Sequence, residues 1–366
     1  MNTILKITSL AFVFAVVLCY LCKEYSFRKL IDSKDIQKLK LAFENANNIV
    51  ITCHVSPDGD AIGSTLGLWH VLRQLGKHVV VITPDQCPKS LMFLNGISDI
   101  IPYSCNPEVA VKKVKSADLI CCLDFNTLSR LDKMQLIIEK SSAYKVLIDH
   151  HLYPDDFADI KISYPEKSST CYLLYLVLIS LGYRDIISKD AAECIYTGML
   201  TDTGNFTYNS TDPELYNVIS DLIKIGIDKD KIYRIVSNTN SESRLRLCGY
   251  ALSKKMKLYY NHKAALIVLD KNELSLYNYE KGDTEGLVNV PLSIPGIQYS
   301  AFLREDDEYI KISMRSVDSF PVNKVCETHF NGGGHLNAAG GEFFGSLNEA
   351  VSLFESILSL NDKYLE

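Results

Sequence analysis

The chain has 366 residues, 47% of them hydrophobic and 22% charged, a globular composition long enough for two domains with separate cores, which excludes intrinsic disorder. Its formal net charge of -6 excludes a protein that coats long nucleic acids, because neutralising their phosphates needs Lys and Arg in bulk. A short anionic substrate held in a local pocket remains allowed.

At the N-terminus, Ile7 to Cys22 is an uncharged, mostly apolar run between Lys6 and Lys23. It is shorter than the roughly 20 residues that span a bilayer and has no small-residue cleavage site behind it. Residues 1–26 therefore read as a marginal membrane anchor, giving weak membrane association through residues 4–22, as an uncleaved signal, or as upstream sequence brought in by the start assignment. The first and last are favoured. The 11 cysteines form no regular spacing pattern, and Cys121 and Cys122 sit inside an apolar run, which points to reduced thiols in the cytoplasm. Cys19 and Cys22, spaced as CxxC in a wholly apolar stretch, read as packing residues.

From about residue 34, "SKDIQKLKLAFENA" places Ile36, Leu39, Leu41 and Phe43 near helical spacing and leads into the strand "NIVITC". Ala61 to Leu75 reads as a helix, then "HVVVIT", "ADLICCLDF" and "YKVLIDHH" as strands with helical segments between them. Helices "STCYLLYLVLISLGY", "SKDAAECIYTGMLTD" and "DPELYNVISDLIKIG" follow. Apolar strands without polar alternation, separated by helices, predict an α/β fold whose parallel sheet is covered by helices on both faces, over residues 27–236. The polar stretch "SNTNSESRLRL" marks a linker, 237–250, or the start of a connecting helix. Beyond it "KAALIVL", "IQYSAFLRE" and "EYIKISMRS" read as strands, followed by a glycine-rich turn and a last helix, which makes residues 251–366 a smaller C-terminal α/β unit.

Ligands of open parallel sheets gather beyond the carboxyl ends of the strands. There the first strand delivers His54, Asp58 and Asp60, another delivers Asp124, and a third Asp149, His150 and His151; the "TDTGNF" stretch adds Asp202. Singly, each has a bland reading: Asp58 and Asp60 as a turn and helix cap, Asp124 and Asp202 as caps, the histidines as a partly buried pair. Together these groups would repel or desolvate one another unless a cation neutralised them. Four carboxylates (Asp58, Asp60, Asp124, Asp202) and two imidazoles (His54, His150), with no thiolate, suit manganese or magnesium better than structural zinc. Six donors suit two ions, about 3.5–4 Å apart, which is the arrangement that hydrolyses phosphoesters.

Downstream, "FNGGGHLNAAGG" sets Gly332, Gly333 and Gly334 before His335 and what reads as the start of a small-residue helix, an arrangement that can close backbone N–H groups on an anion. In "YIKISMRS" Ile310, Ile312 and Met314 face one way and Lys311, Ser313 and Arg315 the other, so that Arg315 can offer a bidentate fork to a phosphate or carboxylate. A plain loop and a solvated strand face are the alternatives.

The set HVSPDGDAIGS, LDFN, IDHH, GMLTDTGNF and NGGGHLNAAGG resembles the DHH phosphoesterase superfamily, specifically its oligoribonuclease (nanoRNase) and 3'-phosphoadenosine-5'-phosphate phosphatase branch. The match runs in family order from about residue 34 to the C-terminus. The resemblance implies a manganese-dependent exoribonuclease and nucleotide phosphatase with two Mn2+, or Mg2+ in their place. It implies that His54 and Asp58 bind one ion, that Asp60, His150 and Asp202 bind the other, and that Asp124 bridges them. His151 would touch the scissile phosphate and Asp149 would orient a histidine, while Arg315, His335 and the glycines 332–334 would bind the substrate's phosphate. The implied partners are short oligoribonucleotides and 3'-phosphoadenosine-5'-phosphate, with no long nucleic acid, and a homodimer is a further expectation. Two domains on a flexible linker could close over such a substrate. Phe206 and Tyr208 could stack a base, or pack as core aromatics. The competing reading is a cyclic-dinucleotide phosphodiesterase. A pyrophosphatase is disfavoured by the GGGH motif, and a non-catalytic scaffold by the full complement of six ligands.

Overall fold

The computed structural model describes residues 31–237 and 240–365. The segment 1–26, with its anchor reading, lies outside the described residues; among those described, no helix is long and apolar enough to cross a membrane. The chain divides into two compact units, one ending at residue 239 and the other starting at 240.

In the first unit the elements run α1 (Ser33–Asn45), β1 (Asn48–Thr52), α2 (Gly59–Gln74), β2 (His78–Thr83), β3 (Ile101–Pro102), α3 (Pro107–Lys115), β4 (Leu119–Leu123), α4 (Gln135–Glu139), β5 (Tyr144–Asp149), β6 (Ile160–Ser163), α5 (Thr170–Ser180), α6 (Lys189–Asp202), α7 (Pro213–Ile225) and α8 (Lys229–Ser237). The six strands form one sheet in the order β3-β2-β1-β4-β5-β6, every pair parallel. This is the α/β fold that the apolar, non-alternating strands predict, and separate apolar clusters bury its two faces. From β1 the chain winds outward to β3, then returns to place β4 on the other side of β1. The switch point therefore lies at the carboxyl ends of β1 and β4, where the first two clusters of polar residues stand.

Local sequence explains which faces are buried. In α1, Ile36, Leu39 and Phe43 are buried, whereas Leu41 is 56% exposed. Leu41 lies two residues from Leu39, and roughly 200° of helical rotation carries it off the apolar stripe. Helix α5 is buried from Thr170 to Ile179, as expected of a helix that is apolar all round. It packs with α2 and α6 at backbone range because small residues line the contact: a Cβ on Gly63 would lie 2.5 Å from the Cys194 carbonyl, and one on Gly198 would lie 2.2 Å from Cys171 Sγ and 2.7 Å from Asp60 Oδ1. That close approach brings the first turn of α5 onto Asp60.

The second unit contains α9 (Glu242–Tyr250), β7 (Met256–Tyr259), β8 (Ala264–Leu269), α10 (Lys271–Leu276), β9 (Tyr299–Glu305), β10 (Ile310–Ser316), α11 (Val322–His329), β11 (Gly333–His335), β12 (Ala338–Phe343), α12 (Leu347–Ser356) and α13 (Leu358–Asn361). Residues 242–250 of the segment read as a linker are thus helical, capped by Ser241 and anchored by buried Leu247. The sheet order is β11-β12-β10-β9-β8-β7, mixed, with β8 and β9 parallel and the other pairs antiparallel. The residues after His335 do not start a helix: Ala338–Phe343 is a strand that pairs with both β10 and β11. Small residues that can open a helix also let strands pack flat, and pairing with β10 decides between the two outcomes. A Cβ on Gly332 would fall 2.0 Å from the Gly340 carbonyl, so glycine there is required by the approach of the two chains.

Candidate metal centre

Asp58 is the N-cap of α2. Its Oδ1 accepts from the N–H groups of Asp60 and Ala61, both at 3.0 Å, and its Oδ2 is left 3.8 Å from His54 Nε2. The cap reading and the ligand reading therefore use different oxygens of one carboxylate. Asp124, which follows β4, divides in the same way. Its Oδ2 lies 3.4 Å from His54 Nε2, while its Oδ1 lies 3.7 Å from His150 Nε2 and 3.8 Å from His151 Nδ1. Asp124 is buried and holds a left-handed backbone at φ 63°, a conformation that costs a non-glycine residue energy and persists only where its surroundings fix it. On the far side, His150 Nε2 lies 3.9 Å from Asp60 Oδ2 and 3.4 Å from Asp202 Oδ2, where α6 ends.

The liganding atoms form three tight sets that could hold metal: His54 with Asp58 and Asp124, Asp60 with His150 and Asp202, and Asp124 with His150 and His151. Two imidazoles are already oriented for it. His54 Nδ1 meets the Val55 carbonyl at 2.8 Å and His150 Nδ1 meets the Lys167 carbonyl at 3.1 Å. A carbonyl can only accept, so the proton sits on Nδ1, and in each neutral ring the Nε2 lone pair faces the carboxylates. His151 differs: its Nδ1 and backbone N–H both meet the Asp149 carboxylate, at 2.8 and 3.1 Å, and that hydrogen bond raises its pKa. Asp149 thus occupies His151 Nδ1, the nitrogen that lies 3.8 Å from Asp124 Oδ1, so this ring, unlike His54 and His150, does not turn a lone pair toward that carboxylate.

The crowded carboxylates and imidazoles shift one another's protonation. Burial first, then the charges of Asp124, Asp202 and Asp58, push the Asp60 carboxyl well up, and burial lifts Asp202 to about 6. Burial alone would raise Asp124 as well, but the adjacent imidazole of His54, with those of His150 and His151, brings it down to about 2. Burial disfavours the charged form of His54, yet the carboxylates of Asp124 and Asp58 beside its Nε2 lift it to about 10. The nearby thiols of Cys53 and Cys171 are pushed up by burial and stay protonated, which leaves oxygen and nitrogen as the donors.

Three contributors were not legible in the sequence. The Lys167 carbonyl aims His150, and the N–H groups of Thr170 and Cys171 hold Asp60 Oδ2 and Oδ1 at 2.6 and 2.9 Å. The signal nearest to them was Ser169, whose hydroxyl accepts from Tyr172 N–H and starts α5. Of the two aromatics, Phe206 packs against Tyr196 at the core edge, whereas Tyr208 is exposed.

In the second unit, an open groove of about 580 Å³ lies on the polar face of β10, lined by Tyr309, Lys311, Ser313, Arg315, Gly332 and Gly333 among others. Arg315 Nη1 donates to the Met314 carbonyl at 2.9 Å. Gly334 and His335 continue β11 and are not among the residues lining the groove.

Residues 48–199 match the DHH family, N-terminal domain, and residues 272–360 match the DHHA1 domain. The crystal structure of an exopolyphosphatase-related protein from Bacteroides fragilis is 54% identical, covering 92% of this chain and 98% of that one, with a TM-score of 0.88. The bifunctional oligoribonuclease and PAP phosphatase NrnA of Thermus thermophilus is 29% identical over 80% of this chain and 83% of its own. The cyclic-di-AMP phosphodiesterase GdpP of Bacillus subtilis is 26% identical over 90% of this chain but only 49% of its own. The chain belongs to the DHH family of phosphoester hydrolases, with an N-terminal DHH domain and a C-terminal DHHA1 domain.

Proposed function

We propose that the protein hydrolyses short oligoribonucleotides to mononucleotides, and 3'-phosphoadenosine-5'-phosphate to AMP and phosphate, at a two-metal centre. The observation that carries this reading is the division of Asp124: one oxygen faces His54, the other faces His150 and His151, which suits a carboxylate shared by two ions. The residues fit such a pair. His54 and Asp58 would hold one ion, Asp60, His150 and Asp202 the other, and the oxygen and nitrogen donor set favours Mn2+, with Mg2+ the next choice. When bound, the ions supply the positive charge that acidifies water and stabilises the leaving oxygen.

The chain's own groups do the rest. His151, kept protonated at Nδ1 by Asp149, is free to donate from Nε2 to a phosphate oxygen once it carries a second proton, and its raised pKa favours that state. Arg315 offers a planar pair of donors to a substrate phosphate. The small residues beside it on β11 and β12 leave the backbone open to a ligand.

The purified full chain with Mn2+ is expected to release mononucleotides from di- to pentaribonucleotides and to convert 3'-phosphoadenosine-5'-phosphate to AMP. Both rates should exceed those with cyclic di-AMP, pyrophosphate and polyphosphate in the same assay. Preferential cleavage of any of the last three overturns the substrate assignment. Arg315→Ala should raise KM for 3'-phosphoadenosine-5'-phosphate by about 10- to 100-fold, the worth of one charge-assisted hydrogen bond, with kcat nearly unchanged. A fall in kcat at unchanged KM would remove Arg315 from the binding role.

A further inference from the structure

We infer that Thr170 is a positioning residue for the metal centre: it fixes Asp124 relative to Asp60, so that Asp124 presents one oxygen to the His54 side and the other to the His150 side. The inference rests on the two-metal reading above. Thr170 is the first residue of α5 and is fully buried. Its hydroxyl donates to Asp124 Oδ1 at 2.9 Å, and its backbone N–H donates to Asp60 Oδ2 at 2.6 Å. One residue thus grips both the carboxylate expected to be shared and a carboxylate of the second ligand set.

The hydroxyl is available for this because capping is done by its neighbour. Ser169, not Thr170, accepts from the free N–H of Tyr172, so Thr170 is spared the local backbone bond that a threonine near a helix start often makes. The Cβ branch restricts the χ1 of Thr170 to few rotamers, and the one it holds aims the hydroxyl at Asp124. With Oδ1 of Asp124 held by this bond on the side of His150 and His151, its Oδ2 faces His54. Without the Thr170 bond, nothing on α5 would restrain the Asp124 carboxylate against rotation about its own axis. Cys171 N–H, on the same turn, holds the other oxygen of Asp60, so both carboxylates are referenced to one rigid helix start.

The test compares Thr170→Val, which keeps the shape and the backbone donor but removes the hydroxyl, with Thr170→Ser, which restores it, and Thr170→Ala, which removes it with less bulk. Mn2+ binding to each full chain is measured by calorimetry and by the Mn2+-induced rise in melting temperature, beside the melting temperature in chelator. Val and Ala are expected to weaken one of the two Mn2+ sites by about 10- to 100-fold, as loss of a residue that orients a ligand does. They should also lower kcat more than they raise KM, and Ser should recover most of the affinity. Two Mn2+ bound by Val or Ala as tightly as by the wild type would overturn the inference while leaving the two-metal reading intact. A wild-type chain that binds no Mn2+ would overturn that reading and this inference with it.

Discussion

Asp124→Asn is expected to lower kcat with Mn2+ by about 10³-fold or more and to abolish most of the Mn2+-induced rise in melting temperature, while the metal-free protein still folds. Asparagine is the informative replacement because position 124 lies at φ 63°. Asn tolerates the left-handed region better than almost any other residue with a side chain, so backbone strain is not added to the loss of charge. Alanine would combine a cavity, strain and an empty ligand position in one number. The amide oxygen of Asn can still accept from Thr170, but it is a neutral donor and the NH2 cannot stand in for the second oxygen, so both ion positions lose an anionic ligand. Removing a shared ligand reaches both ions, so the loss should exceed the 10²- to 10³-fold typical of one electrostatic contact. The metal-free protein meets opposing effects: His54 loses its partner, while Asp60 and Asp202 are relieved of a neighbouring charge. Turnover assays and thermal melts with and without Mn2+ check this. Full turnover in Asp124→Asn, or an unchanged response to Mn2+, contradicts a shared-carboxylate centre.

That this residue could be singled out from the sequence reflects how parallel sheets work. Strand ends are marked by an abrupt change from apolar to polar residues, and "LICCLDF" and "VLIDHH" show it plainly. Once strands are parallel, their carboxyl ends share one edge, so Asp124, Asp149 and His150 meet by topology. Donors that depend on how loops return could not be read. The Lys167 carbonyl reaches His150 only because the segment between β6 and α5 folds back, and backbone carbonyls carry no sequence signal. The stretch after Gly332 misled for a related reason. "NAAGG" suits a helix start and a flat strand equally well, and its pairing with β10 is a long-range contact that local propensity does not record. In β10 the alternation was legible because one face packs on a core: Ile310, Ile312 and Met314 are buried and Lys311 is exposed.

The second large effect is a reversal in how stability depends on pH. In the metal-free protein Asp202 rises from 3.8 to about 6, so the folded state holds this proton more tightly than the unfolded state. The stability this provides is full below pH 3.8 and is lost as pH rises through about 6, a change of up to about 3 kcal/mol for a two-unit shift. Asp60 acts in the same direction. His54, raised from 6.5 to about 10, contributes below pH 6.5 and loses its contribution as pH climbs toward 10. Asp124 has the opposite sign, but its window lies below pH 3.8. Across roughly pH 5 to 8, therefore, the cluster makes the chelator-treated protein less stable as pH rises. Bound cations must compete with protons for the same carboxylates and imidazoles, so with saturating Mn2+ the slope should change sign and stability should rise with pH. Melts in chelator and in Mn2+ at several pH values, for wild type and for Asp202→Asn, isolate the cluster from the other titrating groups. Asp202→Asn should lose the part of the metal-free slope that falls below about pH 6, since an amide has no proton to release there. Slopes of the same sign in chelator and in Mn2+ would show that these carboxylates and imidazoles do not surrender their protons to a cation, and would count against the metal centre itself.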